Sequence, residues 1–302
     1  MRALVVNGDD FGLTPGVNAG ILDAHLRGIL TSASLFANAP ATPEAIAIAR
    51  RTPALGVGCH LALVDGEPAL PPRDVPTLAP GGRFRPTWIA FIRDAAARRI
   101  RPIEIERELT AQIERVVAAG IQPTHVDSHK HVHAYPPVFA IVARLARRYG
   151  VNAVRVPYEA PALRLLARHA DLAGARRQAL ENLALAPWCA RDRRLLEASG
   201  LPPAPMFLGR VLTGLFTRAS LAALLHSIAE GTSELMMHPG YADAALDGVR
   251  TRLRAQRAAE VDLLIDPAAQ ALVAGARIVL LRHDRRPSAV HEERPCLTPR
   301  SA

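Results

Sequence analysis

The sequence predicts an α/β fold: a single (β/α) barrel, TIM-like and distorted, with about seven or eight parallel strands. Three observations predict it. Short apolar runs of strand length recur along the chain, segments of helical periodicity separate them, and 302 residues with 49% apolar and 22% charged content can bury one large core. The same composition excludes a disordered chain, a collagen-like repeat and a disulfide-stapled miniprotein.

The elements follow in order. ALVVN at 3–7 is the first strand and runs into NGDDFG, and a helix is expected over 15–28. SASLFAN at 32–38, a helix at 43–51 and GVGCHLAL at 56–63 continue the alternation. GEPALPPRDVPTLAPGGRFRP at 66–86 is too rich in Pro and Gly for regular structure and reads as an ordered surface loop bordering a site. A helix at 87–98 leads to the clearest one, which has Pro102 in its first turn and Glu104, Glu106 and Glu108 near its positive end, and stops at Gly120. Its residues Ile105, Leu109, Ile113, Val116 and Val117 recur at three- and four-residue spacing. PTHVDSH at 123–129, a helix at 137–149 and AVRVP at 153–157 come next. An Arg- and Leu-rich helical excursion covers about 161–206. FLGRVL at 207–212, a helix at 218–230, ELMMH at 234–238, a helix at 249–264 and ARIVLL at 276–281 complete the series. Residues 1–285 therefore read as one barrel domain and 286–302 as a polar, flexible tail.

The chain carries 37 basic against 28 acidic residues, a formal charge of +9. All the basic residues but Lys130 are arginine, so the excess reads as compositional bias, and no nucleic-acid partner is expected. Cys59, Cys189 and Cys296 are odd in number and far apart, which argues against a disulfide framework. No signal peptide or membrane span is apparent, and the chain is expected to be cytoplasmic.

Candidate chemistry lies at strand ends, where a barrel gathers it on one face. Asp9 and Asp10 are adjacent carboxylates that need a cation or proton between them; alternatively one caps the following helix and the other is solvated. His60 sits in an apolar strand as a ligand or as a satisfied core residue. His125, Asp127, His129, His131 and His133 crowd into nine residues around Lys130, with His125, Asp127 and His129 on one strand face. Adventitious metal binding by a surface cluster is the bland alternative. His238 closes the seventh strand in MMHPGY, or merely caps its turn. An Asp from one strand and His from two others make a three-ligand metal site with a position open for water.

NGDDFGLTPGVNAGI, TSASLFANAP, GVGCHLAL, PTHVDSHKHVH, VRVPYE and MMHPGY, in this order, resemble the YdjC-like family of carbohydrate deacetylases over nearly the whole chain. The sequence departs from that pattern at Gly8, Lys130 and Val64, where the family often has Ala, His and Thr. The resemblance implies one divalent ion, Zn²⁺ or Mg²⁺, on Asp10, His60 and His129. It implies Asp9 as catalytic base and His238 as general acid. His125, Asp127, Lys130, His131, Arg155 and Tyr241 are then expected to orient ligands or meet the substrate. Likeness to the family's hopanoid biosynthesis-associated members implies an amphiphilic N-acetylglucosaminyl lipid as substrate, with peripheral contact at the inner membrane face through 161–220. There Leu165, Leu166, Phe207, Leu208, Leu212, Leu215 and Phe216 meet hydrocarbon or, alternatively, complete the core. The alternatives are a soluble chitooligosaccharide substrate, which the 4% aromatic content mildly disfavours, and a metal- or anion-binding protein of this fold without turnover.

Overall fold

Strand β1 (Arg2–Phe11) is the centre of the sheet in a computed structural model that describes residues 1–160 and 175–285. On one side lie β2 (Ser32–Leu35), β3 (Gly56–Leu61) and β4 (Val126–Ser128); on the other lie β6 (Gly231–Met237) and β5 (Met206–Leu208). β7 (Ile278–Leu280) pairs with the first residues of β1, from Arg2 to Leu4. Every pairing is parallel. The spatial order β4-β3-β2-β1-β6-β5 is that of a barrel opened between β4 and β5.

AVRVP, expected as a strand at this opening, is reduced to a single bridge between Val154 and Val126. Val126 donates its N–H to Ala153 and Arg155 donates to Val126, so the segment follows β4 for one step only. Pro157 then lacks the N–H a continued ladder needs.

The helices are α1 (Pro15–Arg27), α2 (Thr42–Arg51), α3 (Trp88–Ala96), α4 (Pro102–Ala118), α5 (Pro136–Arg148), α6 (Arg176–Ala198), α7 (Arg218–Ser227), α8 (Ala244–Asp247), α9 (Ala255–Ile265) and α10 (Pro267–Gly275). α6 falls in the helical excursion. α10 was not expected, although Asp266 accepts from Ala268 N–H as its cap and Pro267 occupies its first turn. The expected helix at 249–264 starts only at Ala255, as α9, and the short α8 before it was not expected. On α4 the acidic residues do more than face the helix dipole. Buried Glu104 accepts from the amides of Thr77 and Leu78, and buried Glu108 from those of Ala69 and Leu70, which ties the 66–86 loop to the barrel.

Of the residues in 161–220 expected either to meet hydrocarbon or to complete the core, those the structure describes complete the core. Phe207, Leu208, Leu212 and Phe216 are buried and Leu215 packs partly buried on the same core, because β5 and the segment after it belong to the barrel wall. Leu165 and Leu166 and the tail 286–302 lie outside the described residues. No helix among the described residues is long and apolar enough to cross a membrane.

Inside the barrel, alternate residues of β3 face inward. At Gly58 a Cβ would stand 2.4 Å from the His125 ring. Glycine there makes room for the imidazole of the residue just before β4, beneath the strand ends.

Candidate metal centre

Neighbouring residues of a regular strand point to opposite faces, yet Asp9 and Asp10 both serve the mouth of the barrel. The β1–β2 register shifts between Gly8 and Phe11, and Asp10 takes a left-handed φ of 71°. Such an irregularity re-aims side chains at sites, and aspartate tolerates the left-handed region better than most residues. Neither carboxylate caps α1; Thr14 does, accepting from Val17 N–H.

Asp10 Oδ2 accepts from Arg257 Nη2 at 2.5 Å. Its Oδ1 is buried without a hydrogen-bond partner, 3.5 Å from His60 Nε2 and 3.2 Å from His129 Nδ1. One ligand atom from each of these three residues falls within a 4.8 Å cluster. Two imidazole nitrogens and a carboxylate oxygen left unpaired is the donor set that a divalent ion needs, with coordination positions to spare for water. A second close group, Asp9, His60 and Asp127, is already committed to hydrogen bonds and acts as support.

That support has layers. His60 Nδ1 donates to Asp127 Oδ1 at 2.7 Å, which turns Nε2 toward Asp10. Asp127 Oδ2 accepts from Ser34 Oγ at 2.8 Å and meets Arg155 Nη1 at 2.6 Å. Because the Ser34 hydroxyl is spent on Asp127, His125 Nε2 donates to Ser34 Oγ at 2.9 Å, and His125 Nδ1 accepts from Thr124 Oγ1. Arg155 grips Asp9 with both Nη atoms, at 2.7 and 2.8 Å, and donates from Nε to Glu234 at 2.8 Å. Asn7 adds a third bond to Asp9.

These contacts decide the charges. Burial would raise the Asp9 carboxyl, but the charge and hydrogen bonds of Arg155 outweigh it and bring it to about 2. For Asp10, burial is likewise outweighed, chiefly by Arg257, and the carboxyl lies well below its ordinary range. Burial would lower His60; the charge of Asp127, the close approach of Asp10 and the hydrogen bond to Asp127 overcome it and lift the ring to about 10.

A metal entering this site must therefore displace a proton from His60. Below about pH 10 its affinity is expected to rise with pH, close to tenfold per unit, and calorimetry in buffers of different ionisation heat should show one proton released per ion bound. Binding without proton release would contradict the charge pattern. In the metal-free chain the raised His60 adds stability that is fully present below the ordinary 6.5 and is lost as pH rises through about 10.

The remaining candidates distribute unevenly. His238, at the end of β6, donates its backbone N–H to Glu260 and leaves Nδ1 unpartnered. Burial lowers it to about 4 against the pull of Asp10 and Asp9. Lys130 and His131 both have left-handed φ in a 3₁₀ turn over His129–Ala134. Lys130 pairs with Asp65 beside His129, at the start of the 66–86 loop, as expected of a border to the site. His131 packs edge-on against Phe207, 5.7 Å between ring centres. His133 is a satisfied core residue, bonded to Ser128 and the Arg155 carbonyl. Arg155 is fully enclosed by acids, so the option that it meets substrate directly is corrected: both faces of its fork are occupied. Tyr241 turns away, donating its hydroxyl to Asp23 on α1 at 2.7 Å, so it does not join the cluster.

Sequence reasoning missed Arg257, Glu234, Ser34 and Asp65. Arg257 follows Arg250, Arg252 and Arg254 in sequence, and nothing local sets it apart from them. Glu234, an acid opening an apolar strand, was the one available signal.

Among known proteins, the YdjC-like protein family matches residues 3–275. A carbohydrate deacetylase of Geobacillus stearothermophilus is 35% identical over 284 residues, 93% of this chain and 97% of that protein. One from Brevibacillus brevis is 48% identical over 156 residues, 51% of this chain and 59% of its own length, so this match spans less than two thirds of the relative. A solved Enterococcus faecalis protein named for cellobiose-phosphate cleavage shares 25% identity, with a TM-score of 0.76 over 94% of this chain and 98% of that one.

Proposed function

The chain belongs to the YdjC-like protein family, and we propose that it is a metal-dependent carbohydrate deacetylase that hydrolyses the N-acetyl amide of an N-acetylglucosamine unit and releases acetate. The observation that carries this reading is the Asp10–His60–His129 donor set, buried at Asp10 and His60 and partly open at His129, with its orphaned carboxylate oxygen, placed beside Asp9, a carboxylate it does not need as a ligand. Relatives named carbohydrate deacetylases support the substrate class. Residues 1–285 are taken as one catalytic unit.

Asp10, His60 and His129 would hold the ion, which when bound polarises the amide carbonyl and lowers the pKa of water. Two imidazoles suit Zn²⁺ better than Mg²⁺, which prefers oxygen ligands. The chain's own groups manage the protons. Asp9, kept ionised by Arg155, takes the proton of the attacking water. His238 is neutral at rest because burial holds it near 4, so it must first gain a proton before it can donate to the leaving amine. The proton lifted by Asp9 is the one at hand. Asp127 and Ser34 keep His60 in one ring orientation throughout.

The site reads the amino-sugar end. A glycosylated hopanoid carrier draws no support from residues 207–216, whose apolar side chains are buried or pack against the core.

The test is acetate release from N-acetylglucosamine oligosaccharides and from an N-acetylglucosaminyl lipid, with and without chelator. We expect chelator-sensitive release, and Asp9→Asn should lower kcat by about 10²–10⁴ while retaining the metal. Unchanged turnover in Asp9→Asn would remove Asp9 as base. Metal binding with no acetate from any substrate would favour a protein of this fold without turnover.

A further inference from the structure

Beneath the metal-binding mouth the barrel interior stays polar down to its floor, and the floor is closed by residues beyond the family match, which ends at 275. After β7, Leu281 N–H continues the ladder to Leu4 and the chain turns at Arg282–Arg285. The Arg282 guanidinium fixes that turn, donating to the Pro53 carbonyl at 2.6 Å and to Asp284 at 2.9 and 2.7 Å. Gly56 leaves space for it, since a Cβ there would stand 3.3 Å from Arg282 Cβ. The turn drives His283 inward. Its side chain is 3% exposed, its ring lies 4.0 Å from the His125 ring at a tilt of 30°, and its Nε2 is 3.7 Å from Glu234 Oε1. Neither ring nitrogen has a hydrogen-bond partner.

We propose that His283 is a positioning residue for the deacetylase site, steadying Glu234 beneath the Arg155 fork and His125 beneath the Ser34–Asp127 pair. The proposal rests on the function proposed above. Both lines of contact are short. Glu234 Oε1 takes Arg155 Nε at 2.8 Å and Nη2 at 2.6 Å, and the same guanidinium holds Asp9. Three buried carboxylates, Asp9, Asp127 and Glu234, thus compete for one guanidinium. A polar ring edge on the far side of Glu234 limits how far that acid draws Arg155 from Asp9. On the other line, His283 stacks on His125, whose Nε2–H reaches Ser34 and through it Asp127 and His60. A histidine buried with both nitrogens unpaired is an unfavourable way to fill space, for which phenylalanine would serve better. Its edge toward Glu234 is what an apolar ring lacks.

The experiment compares His283→Ala, His283→Phe and His283→Gln in the full, metal-loaded chain. His283→Ala is expected to lose about tenfold in kcat with KM and metal content within twofold of wild type, a change of about 1.4 kcal/mol in the barrier. His283→Phe should stay low despite restoring the ring volume, and His283→Gln, which restores a polar group, should recover most of kcat. Wild-type kcat in His283→Phe overturns the proposal, because packing alone would then suffice. A second arm needs no turnover: ¹⁵N NMR of metal-free protein should show His125 protonated at Nε2 in wild type and a second tautomer in His283→Ala. An unchanged His125 signal overturns the proposal. If the wild type releases no acetate, the deacetylase reading fails and the NMR arm alone decides whether His283 sets this network.

Discussion

Replacing His60 with alanine is expected to abolish stoichiometric metal binding and to lower deacetylation by at least about 10³-fold, the equivalent of several kcal/mol of lost charge stabilisation. His60 is the central member of the donor set. Its Nε2 faces the orphaned oxygen of Asp10 and its Nδ1 is bound to Asp127, so removing it deletes one ligand and leaves two buried carboxylates facing a void. Asp127→Asn is expected to be milder, about 10–100-fold in metal affinity or activity, because it disturbs only the orientation of the ligand. Metal content by mass spectrometry beside acetate release checks both, and a His60→Ala protein with a full complement of metal would show that the ligand set is wrongly drawn.

The second large effect is on stability. Arg155→Met is expected to destabilise the fold by at least about 3–5 kcal/mol at neutral pH, since it strands Asp9, Asp127 and Glu234 in the barrel interior without their common cation. Lysine should not rescue it, because one ammonium cannot reproduce a fork that holds both oxygens of Asp9 while its Nε serves Glu234. The pH dependence provides a signature. In the wild type Asp9 is depressed from 3.8 to about 2, so it contributes stability that is present above 3.8 and lost as pH falls through about 2. In Arg155→Met that contribution disappears, and the stranded acids should make the variant gain stability relative to wild type as the pH is lowered toward their protonation. Thermal unfolding of metal-free protein across pH 4–8 measures this, and a variant with wild-type Tm at pH 7 would contradict the charge balance.

The residues at the barrel mouth were legible because each interrupts or follows a short apolar run. Asp9 and Asp10 follow ALVVN, His60 interrupts GVGCHLAL, and His129 follows THVDS, so period-two alternation and parallel topology place them together. What makes Asp10 usable was not legible: the register shift and its left-handed φ depend on how β1 meets β2. The supports were hidden for a different reason. Arg257 reaches Asp10 across 247 residues of sequence, and in a chain whose basic residues are nearly all arginine one buried arginine looks like the rest. Arg155 stood in a recognisable motif, but whether it met solvent or acids depended on Glu234 from another strand. AVRVP failed as a strand because Pro157, its own last residue, has no N–H to carry the ladder on, and pairing stops at the single bridge between Val154 and Val126. Phe207 and Leu212 were ambiguous between core and lipid contact because an apolar strand in the wall of an open barrel has the same composition as an interfacial segment.

The most direct measurement is a titration of metal-stripped protein with divalent ion, followed by acetate release from an N-acetylglucosamine oligosaccharide. The account predicts no turnover without metal, a linear rise to a plateau at one equivalent, and no rise at any equivalent in His129→Ala. Turnover by the stripped protein, or full restoration in His129→Ala, would contradict it.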